Sequence, residues 1–261
     1  MGSGVGKVVG SAGDDLNLQV MHADLSEPFI LPGLVDAVCH AAARAPGPGV
    51  SVDDMVRDNV VATRNLIGYA RNAGAKVFVF FSSLSVYGEV QDPILEESTP
   101  VCSPGAYGLT KRLGEEMLGA ESSGMRSLAM RLPGLIGRGS ARNWLSRSLA
   151  AAQAGKDVAV FNPNALFNNA VHIADLCRFV GGLLDRHWHG FDLITLGAAG
   201  HLTAGEVAAR LAEGAARGSR VVIEDSHRSS FRISNARAQE RFGYSPMDMS
   251  EMLDKFIAEN Q

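Results

Sequence analysis

A tyrosine and a lysine stand four residues apart in Tyr107-Gly-Leu-Thr-Lys111. At that spacing two side chains share one helix face, a turn from each other. An ammonium so placed favours the phenolate and draws the phenol down from its usual pKa of about 10. Such a phenol is suited to give or take a proton at a carbon bearing a hydroxyl or a ketone. Taken alone, the spacing also describes an ordinary surface pair on a helix. Roughly twenty residues upstream, however, Val77-Phe-Val-Phe-Phe-Ser-Ser-Leu-Ser-Val-Tyr-Gly88 is an apolar run ending in hydroxyls. It reads as a buried parallel strand that delivers Ser82 and Ser83 at its C-terminal end, where open α/β sheets place their sites.

The elements that must position these groups alternate along the chain. Strands are expected at Leu18–Met21, Val35–His40, Val77 onward and Ser127–Leu132. A helix is expected over 52–72, opened by Ser51 with Asp54 three residues on, a capping-box spacing. Another begins near Tyr107 and runs to about 122. Alternating strands and helices imply right-handed crossovers and a parallel, doubly wound sheet. After Pro133 the pattern changes: Gly134–Gly139 reads as a loop, Trp144–Ala154 as a helix and Val158–Phe161 as a short strand. Ile173–Asp185 reads as a helix and Phe191–Leu196 as a strand returning to the main sheet. Thr203 and Glu206 form a second capping box, Val221–Ile223 a strand, and a helix from about Ser250 closes the chain.

Composition narrows the function class. The chain has 261 residues, 46% hydrophobic, enough for a large core. No apolar run reaches membrane-spanning length and no signal-peptide-like stretch opens the chain. A net charge of −4 with dispersed basic residues gives no nucleic-acid footprint. Cys39, Cys102 and Cys177 are too few and scattered for a disulfide framework or metal cluster, which suggests a reducing cytoplasm. Cys39 and Cys177 lie in apolar contexts and are expected to be packed thiols. His40 and His172 are expected to be structural, and His187-Trp188-His189 to be a helix end rather than a metal site.

From about Leu18 onward the residues resemble the extended short-chain dehydrogenases, the NAD-dependent epimerase/dehydratase group acting on nucleotide sugars. Asp24 and Leu25 resemble the acid and apolar residue that contact the adenine. Val38-Cys-His-Ala41-Ala42-Ala43 resembles the strand end lying against the cofactor ribose and phosphates. Asn59-Val-Val-Ala-Thr63 is similar to Asn-x-x-Gly-Thr, with Ala62 in place of glycine. Ser83 falls on the catalytic hydroxyl, and Tyr107 and Lys111 on the acid/base and its lysine. Pro133, in Arg131-Leu-Pro-Gly134, falls on the segment covering the nicotinamide. Asn168 and Asn169 depart from the Arg-Asp that opens a further motif, Arg-Asp-x-Val-His-Val-x-Asp.

The resemblance implies a Rossmann-like core over 1–133 and about 170–196, with a smaller α+β substrate lobe over 134–169 and 197–261. It implies NAD or NADP as cofactor and transient oxidation of a nucleotide sugar. In that chemistry Tyr107 takes the proton, Lys111 holds the cofactor ribose, and Ser83 stabilises the reacting oxygen. Leu84 and Ser85 stand where the family's dehydratases and decarboxylases carry carboxylates, which favours epimerase or ketoreductase. Asn143 resembles a contact to the sugar-nucleotide diphosphate. Arg232 is a second candidate for the same phosphates, because a guanidinium fork matches them bidentately; both also read as capping or surface residues. A role in cell-surface polysaccharide synthesis and a homodimer through the helices at 52–72 and 107–122 are implied as well.

The family's opening strand, glycine-rich turn and helix have no counterpart here; Gly2-Ser-Gly-Val-Gly-Lys7 only superficially suggests a phosphate loop, with Val8 where a Walker loop needs Ser or Thr. An N-terminally truncated sheet is therefore expected, with the Val35 strand exposing an apolar edge. A late recorded start, direct closure by the Leu18 strand and a partner chain each account for this. The contrasting expectation is a non-catalytic or cofactor-deficient binding or assembly protein descended from such an enzyme.

Overall fold

The computed structural model describes residues 19–31, 33–121, 124–226 and 229–261. In chain order the elements are β1 (Ala37–His40), α1 (Val52–Met55), a π-helical stretch (Val56–Val61), α2 (Ala62–Asn72), β2 (Val77–Ser83), β3 (Ile94–Leu95), α3 (Ala106–Gly119) and β4 (Arg126–Leu132). They continue with β5 (Gly134–Ile136), α4 (Trp144–Gln153), β6 (Val158–Val160), β7 (Leu166–Phe167), β8 (Ala170–His172), α5 (Ile173–Leu184) and β9 (Phe191–Thr195). The chain closes with β10 (Leu202–Thr203), α6 (Ala204–Gly214), β11 (Val221–Ile223), β12 (Arg232–Ile233), α7 (Ala236–Phe242) and α8 (Met249–Glu259).

β1, β2, β4 and β9 form one parallel sheet in that spatial order. The inner strands are buried on both faces, which explains the unbroken apolar run of β2. Phe78, Phe80 and Ala129 meet Ile67 and Ala70 of α2 and Leu118 of α3. On the other face Val79, Leu128 and Met130 meet Leu176, Phe179 and Leu183 of α5 and Phe242 of α7. Burying each such large side chain stabilises by about 1.5–3 kcal/mol. A second apolar cluster joins Ile136 of β5, Leu145 and Leu149 of α4, Val207 and Leu211 of α6, and Met252, Leu253 and Phe256 of α8. Its small strands pair β5 with β8 and β7 with β10; β6 pairs with β11 over a further cluster with Ala152, Ala208 and Ala212, and β12 pairs with β3. β9 returns to the main sheet as expected.

Both capping boxes form: Asp54 N–H donates to Ser51 Oγ and Glu206 N–H to Thr203 Oγ1, with each carboxylate reaching back to its cap.

Several expectations need correction. Gly134–Gly139 is not all loop, because Gly134–Ile136 pairs with β8. Cys39 and Cys177 are exposed rather than packed; Cys39 lies on β1, an edge strand among the described residues, on the face opposite buried Val38 and His40. The expected Leu18 strand does not form over Gln19–Met21, which are irregular, with Val20 59% and Met21 55% exposed. Leu18 itself, and the Gly2–Lys7 run that superficially suggests a phosphate loop, lie outside the described residues. The reason lies a few residues further along the chain. Asn65 Nδ2 donates to Leu25 O, and the Phe29 ring sits 5.2 Å from Tyr69, so the segment is held along α2 instead of the sheet. Among the described residues the outer edge of β1 meets no strand.

Candidate active site

The sheet's C-terminal ends gather the polar groups. β1 ends in His40, which is buried. Its Nε2 lies 2.8 Å from Thr63 Oγ1, and Thr63 donates its own proton to Asn59 O. The threonine hydroxyl has one proton, so His40 is the Nε2–H tautomer and donates. Burial, with the Lys111 charge nearby, pushes His40 down to about 4. An unfolded His40 takes up a proton near pH 6.5 and the folded one only near pH 4. Stability present above pH 6.5 is therefore lost as pH falls toward 4, by about 3 kcal/mol in total. Urea midpoints at pH 7.5 and 4.5 check this: the drop should shrink in His40→Gln, and an equal drop in both proteins would refute it.

Asn59 projects from the π-helical stretch. There the Ala62 N–H reaches back five residues to Arg57 O, the wider turn that often marks functional positions. Asn59 Oδ1 accepts from Arg44 N at 2.6 Å; its Nδ2 donates to Arg44 O at 3.1 Å and to Thr110 Oγ1 at 3.0 Å. One buried carboxamide thus ties the loop after β1 to α3.

α3 lies on the end of β2. Gly108 packs against the Ser85 carbonyl so closely that a Cβ there would sit 2.0 Å from its oxygen. Lys111 is buried, with Nζ donating to Phe81 O at 2.8 Å and lying 4.8 Å from the Phe80 ring centre. Burial pushes its pKa down to about 8, against the pull of the Glu115 carboxylate. Ser83 caps the short 3₁₀ turn Leu84–Val86: its Oγ accepts from Ser85 N and donates to Ser85 Oγ, both at 3.1 Å. Tyr107 is half-buried, and burial raises its phenol above the usual value. The expected depression by Lys111 is therefore not found: the ammonium is engaged with Phe81 O, and the phenol is desolvated without a compensating charge.

A cleft of about 1120 Å³ opens beside the ends of β1 and α2. Asp24, Leu25, Ala42 and Ala43 line it, with Arg44, Arg57 and Arg142. Ser26 N–H and Oγ–H both donate to Asp24 Oδ1 and hold its carboxyl low. The structure thus brings four of the expected cofactor contacts together. Ala41 is exposed just before them, whereas Ser83, Asn59, Tyr107, Lys111 and Pro133 lie outside the lining of this cleft.

Asn143 caps α4, its Oδ1 accepting from Ser146 N at 2.9 Å and its Nδ2 donating to Leu135 O at 2.7 Å. Gly134 packs on its Cβ, so Asn143 sits beside Pro133–Leu135. Arg232 is half-buried on β12, and among the described residues its guanidinium meets no carboxylate. His172 is structural as expected, capping α5 through Nδ1 and facing Glu259 Oε2 at 3.0 Å. His187 to His189 form a loop, with Trp188 Nε1 donating to Ser127 O. Asn168 is spent on the fold, bridging Ala198 and Ile233.

Sequence reasoning missed two buried partners, Glu115 and Arg131. Arg131 Nε and Nη2 donate to Glu115 Oε1 and Oε2 at 2.9 and 2.6 Å, and Ser82 Oγ donates to Oε1 at 2.6 Å. The signal was a lone arginine within an apolar strand, since such a charge must find a counter-ion.

A parallel sheet covered by helices on both faces, with polar groups at its C-terminal strand ends, defines a Rossmann-like α/β protein. The chain belongs to the NAD dependent epimerase/dehydratase family, whose model matches residues 14–190. It is similar to D-erythronate dehydrogenase of Cupriavidus necator, 34% identical over 111 residues, which are 40% of this chain and 34% of that protein. It is also similar to UDP-glucose 4-epimerase of Azospirillum brasilense, 31% identical over 113 residues, 42% of this chain and 32% of that one. The matches thus span about a third of the length of these curated relatives. RMD from Pseudomonas aeruginosa, solved with NADPH, superposes with a TM-score of 0.78 at 22% identity, covering 93% of this chain and 88% of that one. Among the described residues no helix is long and apolar enough to cross a membrane.

Proposed function

We propose that this chain is an NAD(P)-dependent nucleotide-sugar epimerase or ketoreductase, with Tyr107 as acid/base and Lys111 and Ser83 beside it. The observation that carries this reading is the packing of α3 on the end of β2, with Lys111 bonded to the Phe81 carbonyl and Gly108 against Ser85. The family to which the chain belongs and the names of its relatives support NAD or NADP and a nucleotide sugar.

The residues present fit one part of such a cofactor. Asp24, with its carboxylate held ionised, suits an adenosine hydroxyl or amine, and the small Ala42 and Ala43 let a ribose approach the backbone. A glycine-rich turn for the pyrophosphate is not among the described residues. When bound, the nicotinamide supplies the acceptor and donor of hydride. Lys111 has three N–H donors, of which Phe81 O takes one, leaving two for a ribose. Ser83 Oγ–H, now turned to Ser85 Oγ, is free to turn to a substrate oxygen. Tyr107 moves the proton at its Oη. Because burial keeps its phenol neutral at pH 7, Tyr107 is set first as a proton donor to a ketone, the reductase direction. Asn143 and Arg232 are the proposed contacts to the substrate diphosphate, within the lobe formed by 134–169 and 197–261.

The raised phenol and the diverted ammonium favour a second reading, a binding or assembly protein that has lost turnover. One experiment separates them: incubation of UDP-hexoses with NAD or NADP, and of a 4-keto nucleotide sugar with NADH or NADPH, read by proton NMR of the sugar. A new epimer or a reduced sugar supports the enzyme. No product, together with no calorimetric binding of cofactor at millimolar concentration, supports the second reading.

A second copy of this chain is the proposed partner. Leu109 and Leu113 are 51% and 49% exposed on the outer face of α3, which packs beside α1 and the π-helical stretch. Sedimentation should give twice the 27.6 kDa chain mass, and Leu109→Glu with Leu113→Glu should return it to a monomer. A monomeric parent at micromolar concentration would dismiss this interface.

A further inference from the structure

We infer that Glu115 is the positioning residue for Lys111: its carboxylate, clamped between β2 and β4 one helical turn away, fixes α3 on the sheet and sustains the charge of the ammonium. The inference rests on the reading that Lys111 serves the reaction, and the closing test separates the two.

Glu115 and Arg131 are each 1% exposed. The carboxylate takes donors from three elements: Ser82 Oγ on β2, Arg131 Nε and Nη2 on β4, and Arg112 Nη1 on α3 itself at 3.0 Å. Arg131 is pinned on its other side against the Tyr87 ring, 4.5 Å from its centre. Dehydrating such a pair costs about as much as the attraction returns, so it is a poor device for stability alone. Its placement serves something else. Glu115 follows Lys111 by four residues, so the two share a helix face, and Ser82 immediately precedes Ser83. The same carboxylate therefore grips both the helix carrying Tyr107 and Lys111 and the strand carrying Ser83.

The electrostatic part depends on which groups face Lys111. His40 on β1 is held neutral, the Phe80 ring and Phe81 carbonyl come from β2, and Tyr107 on the same helix is an unionised phenol. Asn59 and Thr110 beside it carry no charge. Glu115 is the carboxylate that opposes the burial of the ammonium, with the positive charges of Arg131 and Arg112 behind it. Removing the carboxylate takes its support from Lys111, whereas removing the Arg112 guanidinium, with Arg131 still holding the carboxylate ionised, takes away only a like charge and pushes Lys111 the other way.

The test uses the full chain labelled with ¹³Cε-lysine, the Lys111 signal being assigned by its loss in Lys111→Met. In Glu115→Gln the Lys111 midpoint should fall from about 8 by roughly one pH unit. In Arg112→Gln, altered on the exposed side of the same carboxylate while Arg131 still holds it ionised, it should rise. The alkaline limb of kcat/KM should follow each shift. Midpoints that move the same way in both variants, or not at all, would overturn the inference and leave Glu115 an ordinary ion-pair partner. Opposite shifts with no turnover even in the parent protein would uphold the inference and sink the catalytic reading on which it rests.

Discussion

Tyr107→Phe is expected to lower turnover by about 10²–10⁴-fold, the usual worth of a positioned proton donor, while cofactor affinity stays unchanged. The phenyl ring keeps the half-buried volume and loses only the hydroxyl, so the fold has little reason to respond. The substitution should even be slightly stabilising, since a phenol desolvated by burial is replaced by a ring with nothing to desolvate. Steady-state kinetics alongside thermal unfolding check both halves. Retained turnover at the parent level would remove Tyr107 from the chemistry.

Gly108→Ala is expected to harm both fold and site. The added Cβ would lie 2.0 Å from Ser85 O and 2.7 Å from its carbonyl carbon, both backbone atoms that no rotamer change relieves. α3 must then lift from the 3₁₀ turn, at a cost of about 1–3 kcal/mol. Tyr107 and Lys111 travel with the helix, and a displacement near 1 Å is enough to cost about 10² in rate. Gly68→Ala is the control: that glycine lies within α2 with open space around it. There the same substitution should stabilise by about 0.5–1 kcal/mol through helix propensity alone. If both alanines behave alike in unfolding and kinetics, the close approach at Gly108 has no consequence.

What could be read before folding was what is local. The capping boxes at Ser51 and Thr203 are decided within four residues, and both formed. The β2 run announced its own burial, because only a strand covered on both faces stays apolar for that long. The Tyr107–Lys111 spacing placed both residues on one helix, yet could not say where the ammonium would go. Its partner is a carbonyl thirty residues upstream, and that contact, with the burial of Tyr107, reversed the expected direction of the phenol's pKa. The Glu115–Arg131 pair was illegible for a similar reason: each residue is unremarkable on its own element, and only the register of α3 on β4 joins them. The short strands depend still more on distant partners, as β3 does on β12, and a two-residue strand carries no periodicity of its own. At β1 an exposed edge is expected from the sequence; among the described residues no strand, and none of the 19–24 segment, lies against it.

The widened turn at Val56–Val61 has a bearing on how this chain should be aligned with others. Its ladder holds more backbone than a regular spiral needs, and the buried Asn59 carboxamide projects from it. Excise one residue there and the coil can close with its normal pitch, and the Asn59 contact to Thr110 is then no longer set by the wide turn. A gap of one position in this region is thus a change of geometry, even where every neighbouring letter is the same.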